Sequence, residues 1–169
     1  MVSWPEFVTL QPAMAESGHE LLYDVGVGLA FLSTVRSDGG PRVHPICPLV
    51  DDAGLFAFIV PSPKRADLHR DGRYALHTVP LERSEDAFYL TGRARRVADH
   101  DLRHRLSRQF AVERAALAVP APGPEQHLFE FSVETAVLTR TTGHGDPAPV
   151  HTVWHAPAPP ETDPAGPAG

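Results

Sequence analysis

Short apolar stretches, each bounded by turn-forming residues, recur along most of the chain. They are rich in β-branched and aromatic residues, and the Asp-Gly at 38–39 is typical of a tight hairpin. We predict six strands, with a seventh at the C-terminal end: 28–36, 42–50, 55–60, 73–79, 87–97, 127–140 and 150–155. Gly92 predicts a bend or a close backbone approach, and we expect an irregularity near Glu134.

The strand at 42–50 has an unusual composition for a sheet interior. It contains two prolines, which cannot donate to a hydrogen-bonded ladder, so we expect it at an edge or at a bulge. Its residues alternate, with Val43, Pro45 and Cys47 on one face and the intervening residues on the other. Cys47 is the only cysteine of the chain, and its place on the apolar face predicts a buried, unreactive thiol.

Three helices interrupt the strand pattern. Ser62 is a favoured N-cap, a proline follows it, and Gly72 fits the residue just past a helix end, so we predict a helix over 63–71. Apolar residues at i, i+4 and i+8 after Asp99 or Asp101 predict a second, longer helix. A short N-terminal helix is expected around residues 16–23.

Short connections and Gly/Asp turns favour a mainly β architecture, an antiparallel barrel with flanking helices. We assign residues 1–27 to a helical lead-in and 28–155 to the barrel. The Pro/Ala-rich residues 156–169 carry little apolar content and are expected to be a disordered tail. Side chains fill the interior of so small a barrel, so a ligand should bind at its rim or at a subunit boundary.

Composition narrows the function classes. The net charge of −6 and the pI near 5.9 argue against a nucleic-acid surface, which needs clustered positive charge. The longest apolar run is too short to span a bilayer, and the N-terminal residues do not resemble a secretory signal. We therefore expect a cytoplasmic protein that binds neither nucleic acid nor membrane.

The helix start at 62–65 is the strongest chemical signal. Its sequence is Ser-Pro-Lys-Arg, and Lys64 is the only lysine in the chain. First-turn amides lack partners inside a helix and attract anions, whereas two basic residues there oppose the helix dipole. The pattern suggests a built anion site. The alternative is a surface helix capped by Ser62, with its charges solvated.

Residues 28–97, with "TVRSDGGPRV", "SPKRADLHRDGRYAL" and "TGRARRV", resemble the pyridoxamine 5′-phosphate oxidase-like split β-barrel superfamily. The resemblance implies a homodimer with FMN, or a deazaflavin coenzyme, at the interface, acting on a small organic substrate. It implies that Ser62 and Lys64 bind the cofactor phosphate with Arg65 as a helper, and that Arg42 lies near the phosphate or ribityl chain. The remaining residues expected at the cofactor are Thr34, Val43, His44, Pro45, Ile46 and, from the partner chain, Trp154.

Other features leave alternatives open. The family's vitamin B6 enzymes carry a C-terminal Arg-x-His segment, and no arginine follows Arg140 here, so we do not expect that activity. A non-catalytic flavin- or haem-binding protein of the same fold is the alternative, and no catalytic residue is assigned. His100 and His104 share a helix face, but nearby arginines disfavour a metal site, and none is predicted. The arginines at 93, 95 and 96 are either a phosphate or substrate surface or a solvated strand face.

Overall fold

The computed structural model of the chain describes residues 1–158. Within them, eight strands and four α-helices follow one another in the order α1, α2, β1 to β4, α3, β5, β6, α4, β7 and β8. The helices are α1 Trp4–Leu10, α2 Pro12–Leu22, α3 Pro63–Arg70 and α4 His100–Glu113. The strands are β1 Ala30–Val35, β2 Pro41–Ile46, β3 Pro48–Asp51, β4 Gly54–Ile59, β5 Arg73–Thr78, β6 Ala87–Arg96, β7 His127–Arg140 and β8 Val150–His155.

All strand pairs are antiparallel, in the order β2-β1-β5-β6-β7-β4-β3, with β8 added to β7. Strands β2 and β3 lie at opposite ends of this order, yet only Cys47 separates them in the chain. The sheet must therefore curl until its two edges meet, without a ladder joining β2 to β3. The prediction of a mainly β, antiparallel split barrel is confirmed.

The expected strand count was six to seven, and the segment 42–50 accounts for the difference. Its prolines place it at an edge, as predicted, but the chain breaks at Cys47 into two strands instead of continuing as one. Pro48 starts the second strand, which pairs with β4 on the other side of the barrel. Cys47 itself is partly buried against a small apolar cluster, not fully buried as expected.

The antiparallel pairing of β6 with β7 contains the predicted irregularity. The register shifts between Thr91 and Gly92, so that their partners are Thr135 and Val133 and Glu134 is left as the extra residue of a bulge. A Cβ atom at Gly92 would lie 1.8 Å from the carbonyl oxygen of Ser132. Only glycine allows this approach, so the expected close contact at Gly92 is confirmed.

The main core fills the barrel and continues under the N-terminal helices. Leu32, Leu76 and Leu90 from neighbouring strands are fully buried inside it. A second, smaller cluster lies under α4, where Leu106 and Phe110 meet buried side chains of β3, β4 and β7. Because α4 presents these residues at i and i+4, its apolar face is the one that the sequence pattern predicted.

The N-terminal region contains more helix than predicted. Helix α2 starts four residues before the segment expected at 16–23 and ends at Leu22, and α1 precedes it with a capping box between Ser3 and Glu6. Trp4 and Phe7 of α1 are buried in the main core, so the lead-in packs on the barrel.

Arg114, just after α4, is an unexpected core residue at 1% exposure. Its guanidinium pairs with Glu113 at 2.9 Å, donates to the carbonyl of Gly28 at 2.9 Å and lies 4.2 Å from the centre of the Phe110 ring. These contacts tie the end of α4 to the start of the barrel.

None of the helices in residues 1–158 is long and apolar enough to cross a bilayer. The predicted tail overlaps the described chain only at residues 156–158, and its remainder lies outside the described residues.

Candidate functional site

Helix α3 begins where the sequence predicted, directly after Ser62. Ser62 is the N-cap residue, Pro63 occupies the first helical position, and Gly72 follows the helix with a φ of +76°, which only glycine adopts freely. The Ser62 hydroxyl does not cap the helix but donates to the carbonyl oxygen of Val60 at 2.9 Å. No side chain therefore covers the first turn of α3 from the N-cap position.

Lys64 lies at this helix start with an unusual environment for a lysine. Its side chain is half-buried, and its Nζ atom donates to the backbone carbonyl of Pro45 in β2 at 3.3 Å. Burial lowers the pKa of the Lys64 ammonium, and the nearby Cys47 offsets this only in part. Within residues 1–158 it forms no ion pair, so a partly desolvated positive charge meets only a neutral oxygen.

One turn further along α3, the carboxylate of Asp67 accepts hydrogen bonds from three side chains, two of them from distant parts of the sequence. Asp67 is 4% exposed, and its donors are Arg42 at 2.8 Å, Thr34 at 3.0 Å and Arg70 at 3.2 Å. Burial by itself would raise the pKa of Asp67, but these donors outweigh it and the pKa is lowered. The network joins α3 to β1 and β2, and so fixes the helix start against β2.

Two of the predicted site residues therefore belong to this network. Thr34 is only 2% exposed, and its hydroxyl is directed at Asp67. Arg42 uses its Nε atom on Asp67, while its side chain remains 28% exposed. The sequence signal for Asp67 was weak, because a lone acid in the middle of a short helix is common and its partners are 25 and 33 residues away.

The central part of β2 presents two different faces. Val43 and Pro45 are exposed, Val43 at 58%, whereas Arg42, His44 and Ile46 turn inward and Ile46 is buried. Pro45 pairs with Phe31 of β1, which is 38% exposed. The strand pairing continues this row of neighbouring residues across the sheet, from Phe31 through His77, Tyr89 and Val137 to Val153. An exposed, largely apolar row thus runs outward from β2 beside the Lys64 ammonium.

Arg65 and Trp154 lie elsewhere. Arg65 turns to the loop before β7 and donates to the carbonyl of Glu125 at 2.6 Å. Trp154, on β8, is partly buried, with its ring 5.0 Å from that of Phe7. Since β8 is five strands away from β2 in the sheet order, one chain does not bring Trp154 and Pro45 together.

A cavity of about 630 Å³ lies away from this helix start. It lies between α1, α2 and the β3–β4 turn, and its lining includes Glu16, Asp51 and Asp52. Acidic walls do not suit an anion, so we consider the start of α3 the better candidate for an anion site. Residues 1–158 contain no group of three or more His, Cys, Asp and Glu side chains arranged to hold a metal ion.

Comparisons with known proteins agree with this architecture. Solved structures with the same fold include a protein related to general stress protein 26, of the pyridoxinephosphate oxidase family, from Clostridium acetobutylicum. It is 14% identical, with a TM-score of 0.56, over 89% of this chain and 95% of the other. A haem-binding protein from Mycobacterium smegmatis matches at 14% identity and a TM-score of 0.61, over 82% of this chain and 57% of its own.

The haem storage protein HutZ from Vibrio cholerae matches at 14% identity and a TM-score of 0.53, over 74% of this chain and 90% of its own. A search of curated proteins found no match. Likenesses at such low identity show the fold alone. The family model for pyridoxamine 5′-phosphate oxidase matches residues 26–140, which is more than half of the chain and includes β1 to β7. The chain therefore belongs to the pyridoxamine 5′-phosphate oxidase family.

Proposed function

We propose that the chain binds FMN, or a deazaflavin coenzyme, and acts as an oxidoreductase on a small organic substrate. The observation that carries this proposal is Lys64, a half-buried ammonium at a helix start whose polar contact is the neutral carbonyl of Pro45. A phosphate group would supply the missing negative charge and would also meet the helix dipole. The residues present therefore fit the cofactor's phosphate end.

The neighbouring residues have distinct roles in this proposal. Ser62 and Lys64 hold the phosphate, for which the Ser62 hydroxyl has only to leave the Val60 carbonyl. Asp67 fixes Arg42 through its Nε atom, which leaves the outer guanidinium nitrogens to face the phosphate or ribityl chain. Thr34 holds Asp67 in place by donating a hydrogen bond to the same carboxylate from β1. The β2 segment from Val43 to Ile46 supplies the backbone and apolar surface along the isoalloxazine ring.

The exposed row beside β2 favours a homodimer with the cofactor at its interface. Phe31, Val43 and Val153 are large apolar side chains that one chain leaves 38%, 58% and 54% exposed. Association of two copies along this row would remove apolar surface from water. Trp154 lies on the opposite face of β8 from Val153, so it could close the ring site of a second copy only if it left Phe7. Arg65 stays a helper in this scheme only if it leaves Glu125.

A bound flavin supplies the hydride chemistry, so the chain's own task is to position it and to shield it from water. Flavin-dependent turnover then needs an electron donor and a small substrate that approaches the exposed face of β2.

The test is a titration of the purified protein with FMN, followed by quenching of flavin fluorescence and by the absorbance spectrum of any cofactor extracted from it. We expect a yellow protein whose chromophore is bleached by a reductant and restored by an acceptor. Lys64→Ala should weaken FMN about tenfold to a hundredfold, as expected for loss of one charge-assisted contact. Its free energy of unfolding should change by less than about 0.5 kcal/mol, because the side chain is half-exposed.

Arg108→Ala is the matched control, since it removes one exposed positive charge on α4 without touching this helix start. Equal FMN affinity in Lys64→Ala and wild type would refute the phosphate assignment. Failure of both FMN and a deazaflavin to saturate the protein would refute flavin binding altogether.

Haem binding is the second candidate, because two of the matched structures are described as haem-binding or haem-storage proteins. Histidine is a common haem ligand, and His77 lies on the exposed row with its Nδ1 atom on its own strand's carbonyl, leaving Nε2 open. Added haem would then give a shifted Soret band that disappears in His77→Ala. Flavin binding without such a band would favour the first proposal.

A further inference from the structure

A second basic site lies at the opposite end of α3 from Lys64. We call it the histidine–arginine pocket and define it by His69, Arg96, Arg103 and His127. The Nε2 atom of His69 is 2.9 Å from the Nδ1 atom of His127, and the His69 ring lies 5.0 Å from the Phe129 ring. Two cavities of about 270 and 380 Å³ open beside this pair, and Arg96 lines both.

The arginines around the pocket keep their positive charge. Arg103 donates to the backbone carbonyls of Gln126 and Gly123, at 2.8 and 2.6 Å, and Arg65 donates to that of Glu125. Neutral carbonyls hold these guanidinium groups in place without cancelling their charge. Arg96 is exposed and forms no ion pair within the part of the chain that the structure describes.

Two carboxylates close to the pocket are already paired, and Glu125, which forms no ion pair within residues 1–158, is outnumbered by Arg65, Arg96 and Arg103. Glu130 is held by Arg95 at 2.5 Å, and Asp71 is held by Arg73 at 2.7 Å. The pocket therefore carries a net positive charge in a chain whose overall charge is −6. Concentrated positive charge of this kind, in a concave site with fixed donors, favours a small anion and repels a metal cation.

The histidine pair adds ring N–H donors whose protonation depends on whether an anion is bound. A hydrogen bond between two imidazoles requires at least one of them to be neutral. Burial lowers the pKa of both rings first, and Arg96 and Arg65 lower both further. The charged or titratable groups that line the two cavities or lie next to the pair are Arg65 and Arg70 of α3, Asp71 after it, Arg93, Arg95 and Arg96 of β6, His100 and Arg103 of α4, Glu125 of the loop, and Glu130 of β7.

We propose that the histidine–arginine pocket is a second anion site, which binds a small phosphate-bearing molecule of the pyrophosphate class. Arg96 and Arg103 supply the charge, while His69 and His127 donate ring N–H groups. The two adjoining cavities leave room for a ligand with more than one phosphate. The site is separate from the one at Lys64, because the seven residue-to-residue steps from Ser62 to His69 span about 10 Å of helix.

Binding should be linked to pH. An anion between Arg96 and the histidines favours a charged pair, in which one ring is protonated and the other stays neutral so that the hydrogen bond between them is kept. The anion therefore opposes the lowering of the two pKa values by burial and the arginines, and the protein takes up a proton as the ligand binds. We expect its affinity to rise as the pH falls from about 8 to about 6, the range around the ordinary histidine pKa.

The experiment is a titration of the full-length, isotope-labelled protein with inorganic pyrophosphate, followed through the imidazole nitrogen resonances of His69 and His127. These resonances report binding at the pocket itself, independently of any flavin. We expect both to shift and to saturate, with affinity weakened about tenfold in Arg96→Gln. Arg83→Gln, which removes an equal charge from the distant β5–β6 loop, is the matched control and should bind like wild type.

Lys64→Ala separates this site from the proposed flavin phosphate site and should leave the histidine shifts unchanged. A shift that sodium chloride reproduces at equal ionic strength would overturn the proposal, as would unchanged affinity in Arg96→Gln. Loss of the shifts in Lys64→Ala would also overturn it, because the ligand would then be bound at the other end of the helix. His127→Gln provides a second variant, in which the His69 resonance should stop responding.

Discussion

Lys64 and Arg42 carry the same charge, and both contact the region around the first turn of α3, Lys64 as a residue of the helix and Arg42 from β2 through Asp67. Their electrostatic environments nevertheless differ. The Lys64 ammonium meets the neutral carbonyl of Pro45, whereas the Arg42 guanidinium meets the buried carboxylate of Asp67. A cation that faces only a neutral group retains most of its attraction for a ligand anion. A cation already paired with a carboxylate chiefly stabilises the fold and positions its surroundings.

This difference suggests that Lys64 chiefly binds the ligand, whereas Arg42 chiefly holds the site in place. Both residues are basic and both are predicted to lie near the cofactor, so the sequence alone does not separate their roles. The structure shows that Asp67 makes the distinction, because it takes hydrogen bonds from Arg42, Thr34 and Arg70 and none from Lys64. Variants of the three residues should therefore affect different measurements.

The largest effect is expected for Asp67→Ala. Removing this carboxylate leaves Arg42, Arg70 and Thr34 without their shared acceptor at a position that is 4% exposed. Broken buried pairs are costly, and we expect a loss of about 3 kcal/mol in the free energy of unfolding, discounted for the partial exposure of both arginines. Urea denaturation measures it. Asp52→Ala, in an exposed turn, is the control and should change stability by less than about 0.5 kcal/mol.

The lowered pKa of Asp67 predicts how the free energy of unfolding depends on pH in the acid range. Its pKa is lower in the folded protein than the ordinary value of 3.8, so its contribution is fully present above that value. The contribution is lost as the pH falls below 3.8 through the lowered pKa. Asp67→Ala should therefore flatten the decline of stability in this acid range. A steep decline of equal size in the variant would mean that Asp67 does not contribute to it.

A smaller effect is expected for Arg42→Gln. Arg70 and Thr34 would still bond to Asp67, so we expect a loss of about 1 kcal/mol in the free energy of unfolding. FMN affinity should fall less than in Lys64→Ala, since only the outer nitrogens of Arg42 are free for a ligand. The comparison would fail if Arg42→Gln lost FMN affinity as strongly as Lys64→Ala while keeping wild-type stability. Arg42 would then be a principal ligand contact.

The strands could be predicted because their pattern is local. Alternating apolar residues between turn signals identify β1 and β4 to β8, and Gly92 marks the bulge because only glycine tolerates the nearby Ser132 carbonyl. Helix α3 is equally local, since a cap, a proline and a glycine define its ends. Helix α1, which was not predicted, also has a readable signal in the Ser3–Glu6 capping box.

The missed features depend on contacts between distant residues. The break at Cys47 separates two strands that pair with opposite edges of the sheet, which a continuous apolar pattern cannot reveal. Asp67 and the His69–His127 pair are likewise assembled only by folding, across 25 to 58 residues of sequence. Burial decides which of these side chains are paired, and burial of a single polar residue leaves no periodic trace in the sequence.

The smallest effect on flavin binding is expected for Arg65→Gln. Arg65 follows Lys64 directly, but its guanidinium donates to the Glu125 carbonyl at 2.6 Å and turns toward the histidine–arginine pocket. FMN affinity should therefore change by less than about twofold, whereas pyrophosphate affinity should fall about threefold through loss of a nearby charge. Parallel fluorescence and NMR titrations measure the two quantities. If FMN were weakened as strongly as in Lys64→Ala, Arg65 would have to leave Glu125 when the cofactor binds, and both cations of the Ser-Pro-Lys-Arg segment would serve the same phosphate.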